Sequence, residues 1–223
     1  MARKLAPEEK IVNAALRLAE RHGWTDLSLA DIAKEARLGL GELSGLFSSK
    51  ADILAAYARR IDAEVLKLAD EEDLGDEPVR DRLFDVIMLR FDAMAKDKAA
   101  LKRITEDMER DPVAALSLVP SAIQSMGWML EAAAIDSSGW RGMIRVRGLA
   151  LFWARIFRIW LDDDEDQART MAALDKRLRQ GEEWFARAQE FVAKRPRPRR
   201  ARKAPSDDMP DGDKPDSDVK DAA

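Results

Sequence analysis

Apolar residues recur every three or four positions along most of the chain, the spacing that predicts amphipathic α-helices. Near the amino terminus these helices are short: one ends at residues 23–24, a second covers residues 29–36 and a third covers residues 40–47. Ser28 is a candidate N-cap for the second helix, with Asp31 in a capping-box position. This order and spacing predicts a helix-turn-helix unit, whose second helix can lie in a DNA major groove.

The later helices are longer, and about nine are expected in all, so the predicted fold class is all-α. Residues 71–78 form an acidic linker with Gly and Pro, residues 136–139 a loop, and residues 162–166 an acidic start to the last helix. This divides the chain into a helix-turn-helix domain, a connecting helix, a helical ligand-binding and dimerisation domain and a charged tail: residues 1–50, 51–70, 79–193 and 194–223.

The last helix carries a regular apolar seam, which is typical of packing against another long helix. Packing within the same subunit and packing against a second copy both satisfy such a seam; we expect a homodimer. The predicted interface residues are Leu149, Ile159, Met171, Leu174, Leu178, Gly181, Phe185 and Ala188.

Met and aromatic residues are concentrated in the carboxy-terminal half, and such side chains suit an adaptable apolar pocket as well as a plain helical core. The predicted pocket residues, for an apolar small molecule or lipid, are Ile87, Phe91, Met94, Ile104, Met108, Met126, Trp128, Leu130, Phe152 and Ile156. Four arginines lie on apolar helices: Arg90, Arg145, Arg155 and Arg158. We expect them at the surface or in ion pairs, because Arg is rarely buried without a partner; the alternative is pairing with Glu131 or Asp107, or binding of a ligand carboxylate.

Composition argues against an enzyme. Cys is absent, and the only histidine, His22, ends the first helix, where capping is its expected role. A metal cluster or a nucleophilic triad needs more such groups, and no P-loop or GxGxxG occurs, so no cofactor is expected. No signal peptide and no apolar run long enough to span a membrane is apparent, and we expect a cytoplasmic protein.

The residues that match a known family begin at Ile11 and end at Leu54 without a gap. They are Ile11, Ala14, Ala15, Gly23, Leu29, Asp31, Ile32, Ala33, Ala36, Leu38, Gly41, Leu43, Phe47, Ser49, Lys50, Ile53 and Leu54. In these positions the chain resembles the TetR family of transcriptional regulators. The resemblance implies a homodimer with an amino-terminal DNA-binding domain and a larger helical domain that binds a small molecule.

The expected DNA-binding surface is only weakly basic, because residues 1–50 hold eight Lys or Arg against seven Asp or Glu. Family members usually carry Lys, a small hydroxyl residue and a Tyr-His-Tyr-like run on the reading helix, where this chain has Leu40, Glu42 and residues 44–46. Glu42 either repels phosphates or accepts from cytosine N4. The predicted DNA-binding residues are Lys34, Arg37, Leu40, Glu42, Ser44, Ser48, Ser49 and Lys50.

A second resemblance covers part of the carboxy-terminal half, on Pro120, Trp128, Ala133, Asp136, Trp140, Arg141, Arg145, Leu149, Asp162–Asp166, Thr170, Leu174 and Arg177. These positions are similar to the TetR-fold lipid-binding accessory proteins of coenzyme Q biosynthesis. That resemblance implies an isoprenoid-lipid carrier without DNA binding, as the alternative to an effector-controlled regulator.

The tail divides into a basic block, residues 194–203, and an acidic block, residues 204–223. Neither buries enough apolar surface to fold, so both are expected to be disordered. The basic block either contacts phosphates or only keeps the chain in solution.

Overall fold

The structure is a computed structural model that describes residues 5–72 and 77–193, without the side chains of residue 72 and residues 182–193. The described part is helical, as predicted, and has one 3-10 turn at Ala95–Asp97. The charged tail and the side chains of Phe185 and Ala188 lie outside the described residues. The helices are α1 Pro7–His22, α2 Leu29–Ala36, α3 Leu40–Ser44, α4 Lys50–Glu72, α5 Val79–Met94, α6 Lys98–Arg110, α7 Pro112–Ser117, α8 Val119–Ala132, α9 Gly139–Leu161 and α10 Ala168–Ala193.

Helices α1 to α3 form the predicted helix-turn-helix unit around a small apolar core. Pro7 opens α1, where its missing N–H costs nothing, and Gly23 ends it with a φ of +83°. The predicted capping box opens α2, since the Ser28 side chain accepts from the Asp31 N–H and the Asp31 carboxylate accepts from the Ser28 N–H. Leu43 is fully buried and fastens α3 to this core.

Helix α4 joins the two halves of the molecule. It packs against α1 on one side and against α5 and α8 on the other. Ile61 and Val65 of α4 are fully buried, so the connecting helix is part of one continuous core. Helices α9 and α10 pack against each other and cover α8 and α5 respectively.

Three features of the helices differ from the sequence-based expectation: one end, one additional helix and one start. Helix α3 ends at Ser44, three residues early, and the Phe47 N–H donates to the Leu43 carbonyl in the turn that follows. A short helix, Pro112–Ser117, adds a tenth to the nine expected, because Asp111 caps it through the Ala114 N–H. The third difference is at the last helix.

Residues 162–166 form the loop before α10 and are not its first turn, because α10 begins at Ala168. Two of the acids still cap the helix. The Asp163 carboxylate accepts from the Thr170 N–H at 2.7 Å and from its hydroxyl at 2.6 Å, and the Asp166 carboxylate accepts from the Ala168 N–H at 3.1 Å. The acidic residues therefore cap the amino terminus of α10 from the loop that precedes it.

Candidate functional site

Helix α2 is held to α1 by polar bonds as well as by the core. The Glu35 carboxylate of α2 accepts from Arg17 at 3.1 Å and from Arg21 at 2.8 Å, both on α1. These two guanidinium groups hold the pKa of Glu35 below its usual value. The turn between α2 and α3 contains Arg37 with a φ of 57°, a left-handed conformation that glycine adopts more easily.

The outer face of α3 carries little positive charge. Leu40 and Leu46 are 52% and 48% exposed, and Glu42, Ser44 and the two glycines are exposed as well. The Ser44 hydroxyl donates to the Gly41 carbonyl at 2.9 Å. Lys34 and Arg37, at the end of α2 and in the turn that leads to α3, are exposed.

Two predicted DNA-binding residues are engaged by the fold itself. Ser49 accepts from the Asp52 N–H and caps α4. The Lys50 ammonium donates to the carbonyls of Trp24 and Thr25, at 2.7 and 3.1 Å, and lies 5.3 Å from the centre of the Trp24 ring. Burial lowers the pKa of Lys50. The other six predicted residues are exposed: Lys34, Arg37, Leu40, Glu42, Ser44 and Ser48.

The same Trp24–Thr25 segment is also bonded by a side chain of α6. The Asp107 carboxylate of α6 accepts from the Trp24 N–H at 2.5 Å and from the Thr25 N–H at 3.1 Å. The Trp24 N–H, together with that of Thr25, holds the pKa of Asp107 below its usual value. A Cβ on Gly23 would come within 3.0 Å of this carboxylate, so glycine permits the approach.

A cavity of about 280 Å³ opens between the helices of the larger domain, from α4 to α9. Its wall is mostly apolar, and four of the ten predicted pocket residues line it: Met94, Ile104, Met108 and Met126. The predicted pocket set lacks the polar and aromatic wall residues Tyr57, Ser125, Trp153 and Phe157. Arg90, for which ligand binding is one of the alternatives above, also lines the cavity.

The remaining six predicted pocket residues do not line this cavity. Ile87, Phe91, Leu130 and Ile156 are buried in the core, Trp128 is 47% exposed, and Phe152 faces a second groove between α9 and α10. Helical spacing identifies a buried face but does not distinguish packed core from cavity wall. Phe91 illustrates this, because its ring stacks on Trp153 and Trp160 at 4.7 and 5.2 Å.

Arg90 is the centre of a buried polar cluster at the cavity. Its guanidinium forms an ion pair with Asp62 and donates to the Ser125 hydroxyl at 3.0 Å. Ser125 also bonds to Asp62 at 2.6 Å, and Arg90 lies 5.2 Å from the centre of the Trp153 ring. The exposed fractions are 4% for Arg90, 6% for Asp62 and 2% for Ser125.

Glu131 and Asp107, the partners offered as an alternative for the four arginines, are not the ones that the structure shows. Arg90 pairs with Asp62, Arg145 donates to the Asp136 carbonyl, and Arg158 pairs with Glu109. Arg155 is exposed and lines the groove between α9 and α10. Asp107 and Glu131 are used elsewhere, by residues 24–25 and by Ser137. Spacing within one helix does not identify a partner on another.

The predicted dimer seam is partly turned inward. Leu174 is fully buried within the chain and Leu149 is 7% exposed, so neither faces a second copy. Ile159, Leu178 and Gly181 are half-buried, and Met171 is 38% exposed. Helix α10 packs on α9 and α5 of the same chain, and Leu174 is buried there; this is the alternative that regular spacing leaves open.

Part of the apolar surface of α9 is exposed to solvent. Leu151 is 76% exposed, Trp140 67% and Ile144 49%. Leu151 also lines the groove between α9 and α10 with Arg155, Arg177 and Gly181.

In the described part of the chain, no group of three or more His, Cys, Asp or Glu side chains is placed to hold a metal ion. No helix there is both long and apolar enough to cross a membrane.

Residues 11–57 match a family of proteins described as bacterial regulatory proteins, tetR family. This segment begins in α1, contains α2 and α3, and ends in α4. No curated protein sequence matches the chain.

Solved structures share the fold over most of the chain. A TetR transcriptional regulator from Nitrosomonas europaea has a TM-score of 0.63 at 22% identity, over 79% of this chain and 98% of the other. A TetR transcriptional regulator from Rhodococcus sp. RHA1 has a TM-score of 0.57 at 15% identity, over 78% and 94%. A putative TetR-family regulator from Syntrophomonas wolfei has a TM-score of 0.54 at 14% identity, over 78% and 93%.

Proposed function

We propose, from the premise that its amino-terminal domain belongs to the TetR family of bacterial regulatory proteins, that this chain is a transcriptional regulator. It binds DNA as a homodimer and responds to a small apolar molecule. The family match carries the proposal, because residues 11–57 are the segment that folds into the helix-turn-helix unit. The reading helix is α3, and Glu42 and Ser44 are the side chains on it that offer polar groups to base edges.

DNA affinity is expected to be modest and unusually insensitive to salt. Each phosphate contact contributes about −0.9 to the slope of log K against log salt concentration. Lys34 and Arg37 are exposed near α3, whereas Lys50 is bonded to backbone carbonyls. The small number of exposed cations near α3 therefore predicts that the slope of log K against log salt concentration is only a few units.

The test is titration of DNA from upstream of the chain's own gene, by fluorescence anisotropy at several salt concentrations. We expect binding that is tighter for one sequence than for shuffled DNA of the same composition. Equal affinity for both, or no binding at low salt, would overturn the proposal.

The ligand signal is proposed to travel through α6. Ile104, Thr105 and Met108 line the cavity, and Asp107 between them bonds to residues 24–25 of the helix-turn-helix unit. A ligand that displaces α6 pulls on the segment that leads into α2. This would change the orientation of α3, whose copies in a dimer must fit major grooves about 34–36 Å apart.

The second candidate function is a lipid carrier whose helix-turn-helix unit no longer reads DNA. It is favoured by the exposed Glu42 and Gly41 of α3 and by the exposed Gly45 directly after it. A cavity of about 280 Å³ lies at the lower limit of ligand pockets, about 300 Å³, and suits a compact molecule better than a long isoprenoid chain. Mass spectrometry of freshly purified, denatured protein decides, because a co-purified isoprenoid would favour the carrier.

A further inference from the structure

The cavity carries a buried cation whose charge is already balanced. Arg90 is 4% exposed and pairs with Asp62, itself 6% exposed. Ser125 joins the pair, since its hydroxyl accepts from Arg90 and is bonded to Asp62. The buried cluster at the cavity wall therefore has no net charge, although it is polar.

One donor of this cluster is unused. The Arg90 Nε–H is buried and has no hydrogen-bond partner in the described part of the chain. A buried donor without a partner is unfavourable, because it has lost its bond to water and gained none in return. Arg90 lines the cavity, so a molecule bound there can supply the missing acceptor once the guanidinium shifts enough to expose its Nε–H.

The charge balance decides which acceptor is suitable. A carboxylate would introduce a second negative charge beside Asp62 with only one cation between them, in a mostly apolar wall. Burying an uncompensated charge is much more unfavourable than burying a hydrogen-bonded neutral group. A pure hydrocarbon would avoid the charge problem but leave the Nε–H without a partner.

We propose that the cavity selects a compact, uncharged, mainly apolar molecule that carries a hydrogen-bond-accepting oxygen, and that Arg90 recognises this oxygen. The inference rests on the ligand cavity of the proposed function and specifies its ligand class. Trp153 lines the same cavity, and the centre of its ring is 5.2 Å from the Arg90 guanidinium.

Three probes of nearly equal shape test the ligand class. These are 2-acetylnaphthalene, 2-naphthoate and 2-isopropenylnaphthalene, which present a neutral carbonyl, a carboxylate and no oxygen. Their dissociation constants are measured at pH 7 by isothermal titration calorimetry on the full chain without DNA. We expect the ketone to bind at least tenfold more tightly than either of the others.

A charge-changing variant tests the role of the cluster. Asp62→Asn keeps a hydrogen-bonding side chain but leaves Arg90 uncompensated, so the ratio of naphthoate affinity to ketone affinity should rise at least tenfold. Thr105→Val is the matched control, because Thr105 lines the same cavity but is not part of the cluster. It should leave the ratio unchanged.

If Asp62→Asn does not fold, the wild type still decides the matter. Naphthoate binding should strengthen as the pH falls and the probe's carboxyl group takes up a proton, while ketone binding stays constant over the same range. Naphthoate affinity that is independent of pH, or greater than ketone affinity at pH 7, would overturn the inference.

The outcomes separate this inference from the proposed function. Binding of the ketone without any DNA binding supports the inference and overturns the regulator. Equal affinities for the ketone and the hydrocarbon would show that Arg90 does not recognise the oxygen, which overturns the inference, although the cavity would still bind apolar molecules. If none of the three probes binds, both the ligand class and the ligand-controlled part of the proposed function are overturned.

Discussion

At the scale of single residues, Gly142 shows how closely two backbone segments approach. It lies in the first turn of α9, and a Cβ built on it would lie 2.0 Å from the carbonyl carbon and oxygen of Ser137. Both neighbours are backbone atoms, which cannot rotate away as a flexible side chain can. The start of α9 and the loop before it must therefore separate to admit any other residue.

Gly142→Ala is expected to destabilise the protein by about 2–3 kcal/mol, since overpacking forces the backbone to shift. Gly127→Ala is the matched control, because Gly127 is also inside a helix but a Cβ there meets nothing within 4 Å. That change should stabilise the protein by about 0.5–1 kcal/mol. Urea unfolding followed by circular dichroism measures both, and equal effects of the two changes would contradict the argument.

At the scale of helices, the bonds of Asp107 connect α6 to the segment between α1 and α2. Its pKa is held below 3.8, first by the Trp24 N–H. A carboxyl group with a lowered folded pKa stabilises the folded state above its unfolded pKa, and this contribution is lost as the pH falls through the folded value. The window for this loss therefore begins near pH 3.8 and extends downward.

Asp107→Asn is expected to reduce the free energy of unfolding at pH 7 by about 2 kcal/mol, because it removes the charge from two hydrogen bonds. The difference from the wild type should shrink as the pH falls below about 4. Thermal unfolding at a series of pH values tests this.

Glu109→Gln serves as the control for Asp107→Asn. Glu109 is on the same helix and pairs with the exposed Arg158 at 3.0 Å. Surface pairs of this kind contribute about 0–1 kcal/mol. If Glu109→Gln reduces the free energy of unfolding as much as Asp107→Asn does, the bonds from Asp107 to residues 24–25 have no special role in stability.

Helix α3 provides the second prediction at this scale. Glu42→Lys should tighten binding to the upstream DNA and steepen the salt slope by about 1.8, because each of the two copies in the dimer adds one phosphate contact of about 0.9. Glu165→Lys changes the net charge equally on an exposed loop between α9 and α10 and should have little effect. Anisotropy titrations at several salt concentrations compare the two, and weaker binding by Glu42→Lys would instead indicate that Glu42 contacts a base.

At the scale of the whole molecule, dimerisation is proposed to use the outward face of α9 and the groove beside α10. Leu151→Glu places a charge on this face, and twofold symmetry introduces it twice. We expect the dimer to dissociate at micromolar concentration, as measured by sedimentation velocity. Val113→Glu on α7 is the control, because Val113 is 78% exposed, close to the 76% of Leu151.

A dimer that persists in Leu151→Glu would place the interface elsewhere. If both variants dissociate, the effect comes from general destabilisation, and circular dichroism of the separated chains would show it.

The helix-turn-helix unit could be predicted from the sequence because its determinants are local. The capping box of Ser28 and Asp31, the glycine after α1 and the spacing of buried residues all lie within a few positions of one another. The all-α fold follows for the same reason, because helical periodicity is a property of short segments. The early end of α3 is a local effect as well, since two glycines weaken it.

Tertiary structure alone decided which faces meet and which charges pair. The seam of α10 was recognisable, but only packing on α9 and α5 showed that Leu174 points inward. Arg90 and Asp62 are 28 positions apart, and Asp107 and Trp24 are 83 apart. Such pairs form only when helices pack against each other. A helical pattern in the sequence shows that a face is buried but not which residues bury it, so these pairs could be identified only in the folded structure.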